Sequence, residues 1–148
     1  MNLFGVLGIS ASALTAQRQR AEVVAANMAN AETTRTAAGG PYQRKQVVFA
    51  AQSHAGASFS LALERGGQTG GSNGGVRVAQ VVSDPAPPIE RFDPSHPDAD
   101  ERGYVAFPNI NPVTEMVDLM GATRSYQANV SAISAVKDMI QRSIDLLR

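Results

Sequence analysis

VTEMVDLMGATRSYQANVSAISAVKDMIQRSIDLLR, residues 113–148, contains no proline and a single glycine, Gly121. Leu119, Tyr126, Ile133, Ile140 and Leu147 recur in it every seven residues, and Met116, Val130 and Ile144 fill most of a second track. Thr123 and Lys137 are the polar exceptions on that track. Apolar residues spaced this way line one seam of a helix, and such a seam meshes with a partner helix. Just upstream, Asn111 suits a helix N-cap and Pro112 the first helical position. Glu115 and Asp118 stand near the positive end of the helix dipole, and Arg142 and Arg148 near the negative end. The pattern predicts a helix over 113–148, ~50 Å long at the usual rise per residue.

The other end of the chain matches it. Residues 1–34 carry no proline, and Gly5 and Gly8 are their only glycines. Leu7, Leu14, Ala21 and Met28 repeat every seven residues there, interleaved with Leu3, Ser10, Gln17 and Val24. All eight prolines lie between Pro41 and Pro112, and nine of the thirteen glycines between Gly39 and Gly75. Helix breakers are thus confined to the middle, and the ends are free to be long helices. Three parts follow: an N-terminal helix over 1–34, a β-rich and extended segment over 35–112, and a C-terminal helix over 113–148.

Within the middle, Gln46 to Ala50 reads as a strand after the Gly39-Gly40-Pro41 turn. Phe59, Leu61 and Leu63 alternate with small or polar residues, as do Val76, Val78 and Val82, which is the period of a strand. A Gly-rich connection over 66–75 joins these two runs and has the composition of a flexible loop. Asp84-Pro85-Ala86-Pro87-Pro88 is polyproline-like, and Tyr104 to Phe107 is a last short strand. The expected class is mainly α with a small β part, the two terminal helices pairing as a coiled-coil-like layer.

Composition narrows the function. The 148 residues carry 13 basic and 13 acidic side chains, so the net charge is zero and no global field attracts nucleic acid. With no cysteine, disulfides, zinc-thiolate sites and cysteine nucleophiles are excluded. Only 18% of residues are charged, against about 25% in ordinary soluble proteins, so the surface suits burial against other subunits. The apolar run Leu3 to Ile9 is far shorter than the ~20 residues that span a bilayer. No basic residue precedes it, Arg18 being the first, so a cleaved signal is not expected.

Motifs for chemistry are weak. His96-Pro97-Asp98-Ala99-Asp100-Glu101 gathers an imidazole and three carboxylates, but the spacing fits no established metal loop and reads as a solvated turn. Ser10 lies inside a helix pattern, and His54 and His96 in turn-like surroundings, which does not assemble a nucleophilic triad. The 66–75 run lacks the Lys-Ser/Thr of a phosphate loop. Arg44-Lys45 is a basic pair without interleaved aromatics. No catalytic, metal-binding or cofactor-binding residue is assigned. The helical seams remain, either as a hairpin internal to a small globule or as subunit-to-subunit packing. Helix length, low charge and small-residue faces such as Ser10-Ala11-Ser12-Ala13 and Ser131-Ala132 favour the second.

Ala25-Ala26-Asn27-Met28-Ala29-Asn30-Ala31 resembles the Asn-x-x-Asn-Ala signature closing the N-terminal helix of bacterial flagellar axial proteins. The stretch from Arg35 through Gly39-Gly40-Pro41-Tyr42-Gln43-Arg44-Lys45 resembles their proximal-rod branch, as do Asp93–Asp100, Gly103-Tyr104-Val105 and Pro108–Asn111. Glu115–Met120 and Arg124–Val130 continue it, so the likeness runs over essentially the whole chain. The resemblance implies a non-enzymatic subunit of the basal-body rod, polymerising through its terminal helices into a drive shaft around the export channel. It implies export by the flagellar type III apparatus and a place within the periplasm. It also implies neighbours among FlgB, FlgF, FlgG, FliE and further copies of this chain, with no small-molecule substrate.

The expected assembly residues are Leu7, Leu14, Val24, Asn27, Met28 and Asn30 on the first helix. On the second they are Leu119, Tyr126, Val130, Ile133, Ile140, Ile144 and Leu147. Tyr42, Arg44 and Lys45 are expected to make contacts beyond the helical layer. Two other readings are a membrane-surface or adaptor module using the N-terminal helix and a metal-dependent enzyme built around His96. The first lacks the basic polar face such a helix needs, since the first seventeen residues carry no charged side chain.

Overall fold

A computed structural model describes residues 3–52 and 74–146. The expected strand through Phe59, Leu61 and Leu63, most of the Gly-rich connection, His54 and Leu147 lie outside the described residues. Two long helices flank a middle of short antiparallel strands, as the sequence implies. The order is α1 (Leu3–Ala29), β1 (Lys45–Gln52), β2 (Gly75–Ser83), β3 (Ile89–Phe92), β4 (Tyr104–Phe107) and α2 (Pro112–Asp145).

The end of α1 meets the start of α2 through Asn27–Glu115 and Arg20–Asp118, so the helices pack antiparallel. α1 also carries the β1–β2 hairpin, so its burial is divided between two neighbours rather than gathered in one stripe. Gly5, Ser10, Ala16, Val24 and Asn27 are its buried residues, while Leu7, Leu14 and Met28 are half-buried.

The seam of α2 differs from its apolar heptads. Glu115, Ala122 and Val136 are the buried residues. Together with half-buried Asn129 they stand seven residues apart. Leu119, Ile133 and Ile140 flank this line half-buried, whereas Met116, Tyr126, Val130 and Ile144 are exposed. The physical reason is size. A short side chain such as Ala122 allows close approach of a neighbouring helix, and larger side chains are left at the margins of the contact.

Local chemistry sets the element ends. Asn111 caps α2 by accepting from the Val113 amide at 3.0 Å, and Pro112 occupies the first turn. Asn30 closes α1, its side-chain amide donating to the Ala26 carbonyl at 2.8 Å. Gly39 and Gly40, at φ 86° and 73°, then reverse the chain toward β1.

In the β1–β2 hairpin, Val47 lies opposite Val81 and Phe49 opposite Val78, with an irregularity between Val48 and Phe49 that leaves Ala79 without a partner. This bulge places Val81, rather than Gln80, in register with Val47. The hairpin reaches α1 at Ser12, whose hydroxyl accepts from the Val76 amide at 3.1 Å and donates to the Ile9 carbonyl at 2.7 Å. Gly75 allows this approach, because a Cβ there would come within 2.8 Å of the Ser12 hydroxyl.

β3, unanticipated from the sequence, pairs with β4 from Ile89↔Phe107 to Phe92↔Tyr104. Its return loop is held by Asp100, which accepts from the amides of Arg102 and Tyr104.

Candidate functional site

Where α1, α2 and β1 meet, two polar side chains are almost completely enclosed. Asn27 and Glu115 are each 1% exposed. The amide nitrogen of Asn27 donates to the Lys45 carbonyl at 2.8 Å and to Glu115 Oε2 at 2.9 Å. Its oxygen accepts from the Lys45 backbone amide at 2.9 Å and from the Tyr42 hydroxyl at 3.2 Å. Both donors and both acceptor positions of the side chain are therefore used.

Glu115 Oε1 accepts from Arg44 Nε and Nη2, each at 2.6 Å. The Arg44 guanidinium also lies 3.7 Å from Asp84 and from Asp118, and Arg20 reaches Asp118 at 2.9 Å. A buried carboxylate is tolerated because it is paired and hydrogen-bonded on both oxygens. Burial, then the Glu115 charge, pushes the Tyr42 phenol above its ordinary range.

The expected outer contacts are thus turned inward in part. Tyr42 and Arg44 belong to this junction because a buried Glu115 requires a cation and Asn27 a hydroxyl donor. Lys45 is exposed, its ammonium 5.7 Å from the centre of the Tyr42 ring. Of the helix residues, Val24 and Asn27 are buried and Leu7, Leu14, Met28, Asn30, Leu119, Ile133 and Ile140 half-buried. Tyr126, Val130 and Ile144 stand exposed. Glu115, Arg20 and Asp118 belong to the junction but lie off the apolar periodicity of the helices. The available signal was a carboxylate in heptad line with Ala122, Asn129 and Val136, where a seam residue belongs.

The start of α2 carries an exposed apolar stripe. Val113, Met116, Val117 and Met120 follow i, i+3, i+4, i+7 spacing at the start of α2 and are all exposed, Val113 at 71%. At the opposite ends of the helices, Phe4, Met139, Ile144 and Leu146 are exposed as well. Among the described residues, six apolar side chains are buried, two of them alanines, against sixteen large apolar ones exposed, of which Val48, Val81, Ile89, Phe92 and Tyr104 lie on the strands.

The His96 turn is tied to the connection after α1. His96 Nδ1 accepts from the Asp98 amide at 3.1 Å, and Asp98 accepts from the Thr34 hydroxyl at 2.8 Å and lies 3.6 Å from Arg35. Hydrogen bonding from Ser95 lowers the Asp93 carboxyl below its usual range. Among the described residues, no group of three His, Asp or Glu side chains is disposed to hold a metal ion. None of the described helices is long and apolar enough to cross a membrane. An open cleft of ≈ 170 Å³ lies between Pro41, Tyr42 and Arg44 on one side and Pro88 and Asn109 on the other.

Comparison with known proteins covers both ends of the chain. Residues 7–35 match the family model described as flagella basal body rod protein. Residues 101–146 match the C-terminal model described for flagellar basal body rod FlgEFG proteins. The chain is 42% identical over 146 residues to the flagellar basal-body rod protein FlgC of Yersinia enterocolitica, covering 99% of this chain and 98% of that one. It is 42% identical to the FlgC protein of Bacillus subtilis (strain 168), over 99% of both chains. To that of Borreliella burgdorferi it is 39% identical, over 100% of this chain and 99% of the relative.

Proposed function

Since the chain belongs to the FlgC family of flagellar basal-body rod proteins and is a structural subunit of that rod, we propose that the α1–α2 pair is the part that packs against neighbouring rod subunits. In this reading the helices line the export channel and the strands lie outside them. Torque then passes through many parallel helix contacts. Assembly with other rod components follows from the family. FlgB, FlgF, FlgG and FliE are the proposed neighbours, together with further copies of this chain. The proposed route is the flagellar type III apparatus without a cleaved signal, to a site in the periplasmic part of the basal body. No catalytic role is proposed.

The observation supporting this reading is the imbalance between a small buried core and a large exposed apolar face. Isolated chains seldom leave that much apolar surface in water, and subunits do so because a neighbour covers it. A heterologous contact that does not close yields a helical array, as a shaft requires.

The test is a pair of charges on the exposed stripe. Met116→Glu with Met120→Glu leaves the buried side of α2 intact, so the purified chain should keep its helical content. In cells the double variant should fail to enter the rod, and swimming should be lost. Motile cells with the variant in their basal bodies would refute the assignment of this face.

A further inference from the structure

The side-chain hydrogen bonds seen across the α1–α2 pair, Asn27–Glu115 and the part-buried Arg20–Asp118, both lie at one end of it. The residues of the two helices buried away from the junction are Gly5, Ser10, Ala16 and Val24 on α1 and Ala122 and Val136 on α2, none of them with a long side chain. Small and apolar surfaces repack after a shift at modest cost, whereas directional hydrogen bonds do not. At the junction the bonds are directional and buried. Asn27 takes both the N–H and the C=O of Lys45, which is the bonding a residue on an adjacent strand would provide. The same side chain holds Glu115 on α2, and Glu115 holds Arg44, the residue before β1.

We infer that Asn27 and Glu115 form a coupling clamp. The Asn27 amide stands in for one residue of a neighbouring strand, and through Glu115 it ties the position of the β1–β2 hairpin to the axial register of α1 on α2. Whatever orders the helices thereby orders the hairpin, and the reverse holds. A buried polar group that fixes register rather than adding stability is a known use of such residues. The clamp is a positioning device internal to the chain and does not depend on which neighbours it meets.

The absence of cysteine allows a direct test in the full-length chain. Spin labels at Glu22→Cys with Arg124→Cys report the helix register, and at Glu22→Cys with Gln80→Cys the hairpin. Each pair should give one narrow distance distribution in the parent protein. Asn27→Asp sets a second carboxylate against Glu115 and an acceptor against the Lys45 carbonyl, and should broaden both distributions. Adding Glu115→Gln supplies an amide donor to the new carboxylate. It should restore the register pair more fully than the hairpin pair, because the Lys45 carbonyl still lacks its donor.

A broad distribution in the parent would overturn the inference. So would unchanged distances in Asn27→Asp, or a change confined to one pair. Should Asn27→Asp fail to fold, Asn27→Ala with hydrogen exchange decides. The Lys45 amide should exchange about tenfold faster, in step with the hairpin amides. Unchanged protection at Lys45 would sink the clamp.

Discussion

Removing the Glu115 carboxylate should be the most damaging single change at the junction. Breaking a buried ion pair from one side costs about 3–5 kcal/mol, because the remaining charge is stranded. Here the Arg44 side chain keeps 22% exposure and has Asp84 and Asp118 each at 3.7 Å, which brings the charge cost to about 2 kcal/mol. One Asn27 N–H also loses its acceptor inside the protein, adding about 1 kcal/mol. Glu115→Leu should therefore cost about 3 kcal/mol in all, which for a chain of this size lowers Tm by about 9 °C. Replacing both partners, Arg44→Met with Glu115→Leu, removes the stranded charge and leaves the unpaired amide, while Asp84 keeps its hydrogen bond from Gln46 and Asp118 its pairing with Arg20. The double variant should recover about 2 kcal/mol of the loss. Thermal and urea unfolding followed by circular dichroism measure both. If the double variant is as unstable as Glu115→Leu alone, or that single change lowers Tm by less than about 3 °C, the network is not held by its charge pairing.

Other outcomes follow from single features. Gly103→Ala should cost about 2 kcal/mol in urea titration: φ is 81°, and the new Cβ would sit 3.0 Å from the Phe92 ring and 3.2 Å from Pro94. An equally stable variant would contradict that geometry. The Tyr42 phenol has a raised folded pKa, so the unfolded chain ionises first and stability is lost as pH climbs through the alkaline range. Unfolding midpoints measured across that range should fall more steeply for the parent than for Tyr42→Phe; parallel profiles would remove Tyr42 from the explanation. Amide exchange in the purified chain should be slowest near Val24–Met28 and Glu115–Ala122, faster by about 100-fold toward residues 3–10 and 138–146, with the fast ends slowing in assembled rods. Uniform protection along both helices would show that the junction is not where the pair is anchored.

The long helices were legible because proline and glycine are absent from both ends, and the Asn111–Pro112 start because capping chemistry is local. Tyr104–Phe107 was legible as a strand for a similar reason, being bounded by Gly103 and Pro108. The buried line of α2 was not. Reading apolar heptads favours Leu119, Tyr126 and Ile133, yet close helix approach selects Ala122 and admits Glu115, and only the partner's shape decides this. β3 escaped because all four of its residues are exposed and carry no alternation of burial. Asn27 reads in the sequence as a residue near the end of the first helix, but its bonding depends on Lys45, eighteen positions away, and on Glu115, eighty-eight away. No spacing rule in a single sequence encodes those pairings.

The saturated edge at Lys45 bears on how growth stays orderly. Two-stranded ribbons offer open margins that recruit foreign strands, the route by which many β proteins stick together wrongly. A subunit that joins others through its helices, as proposed for this chain, is at risk from such margins. Held by the Asn27 side chain of α1, the N–H and C=O of Lys45 at the start of that margin are not open to another strand.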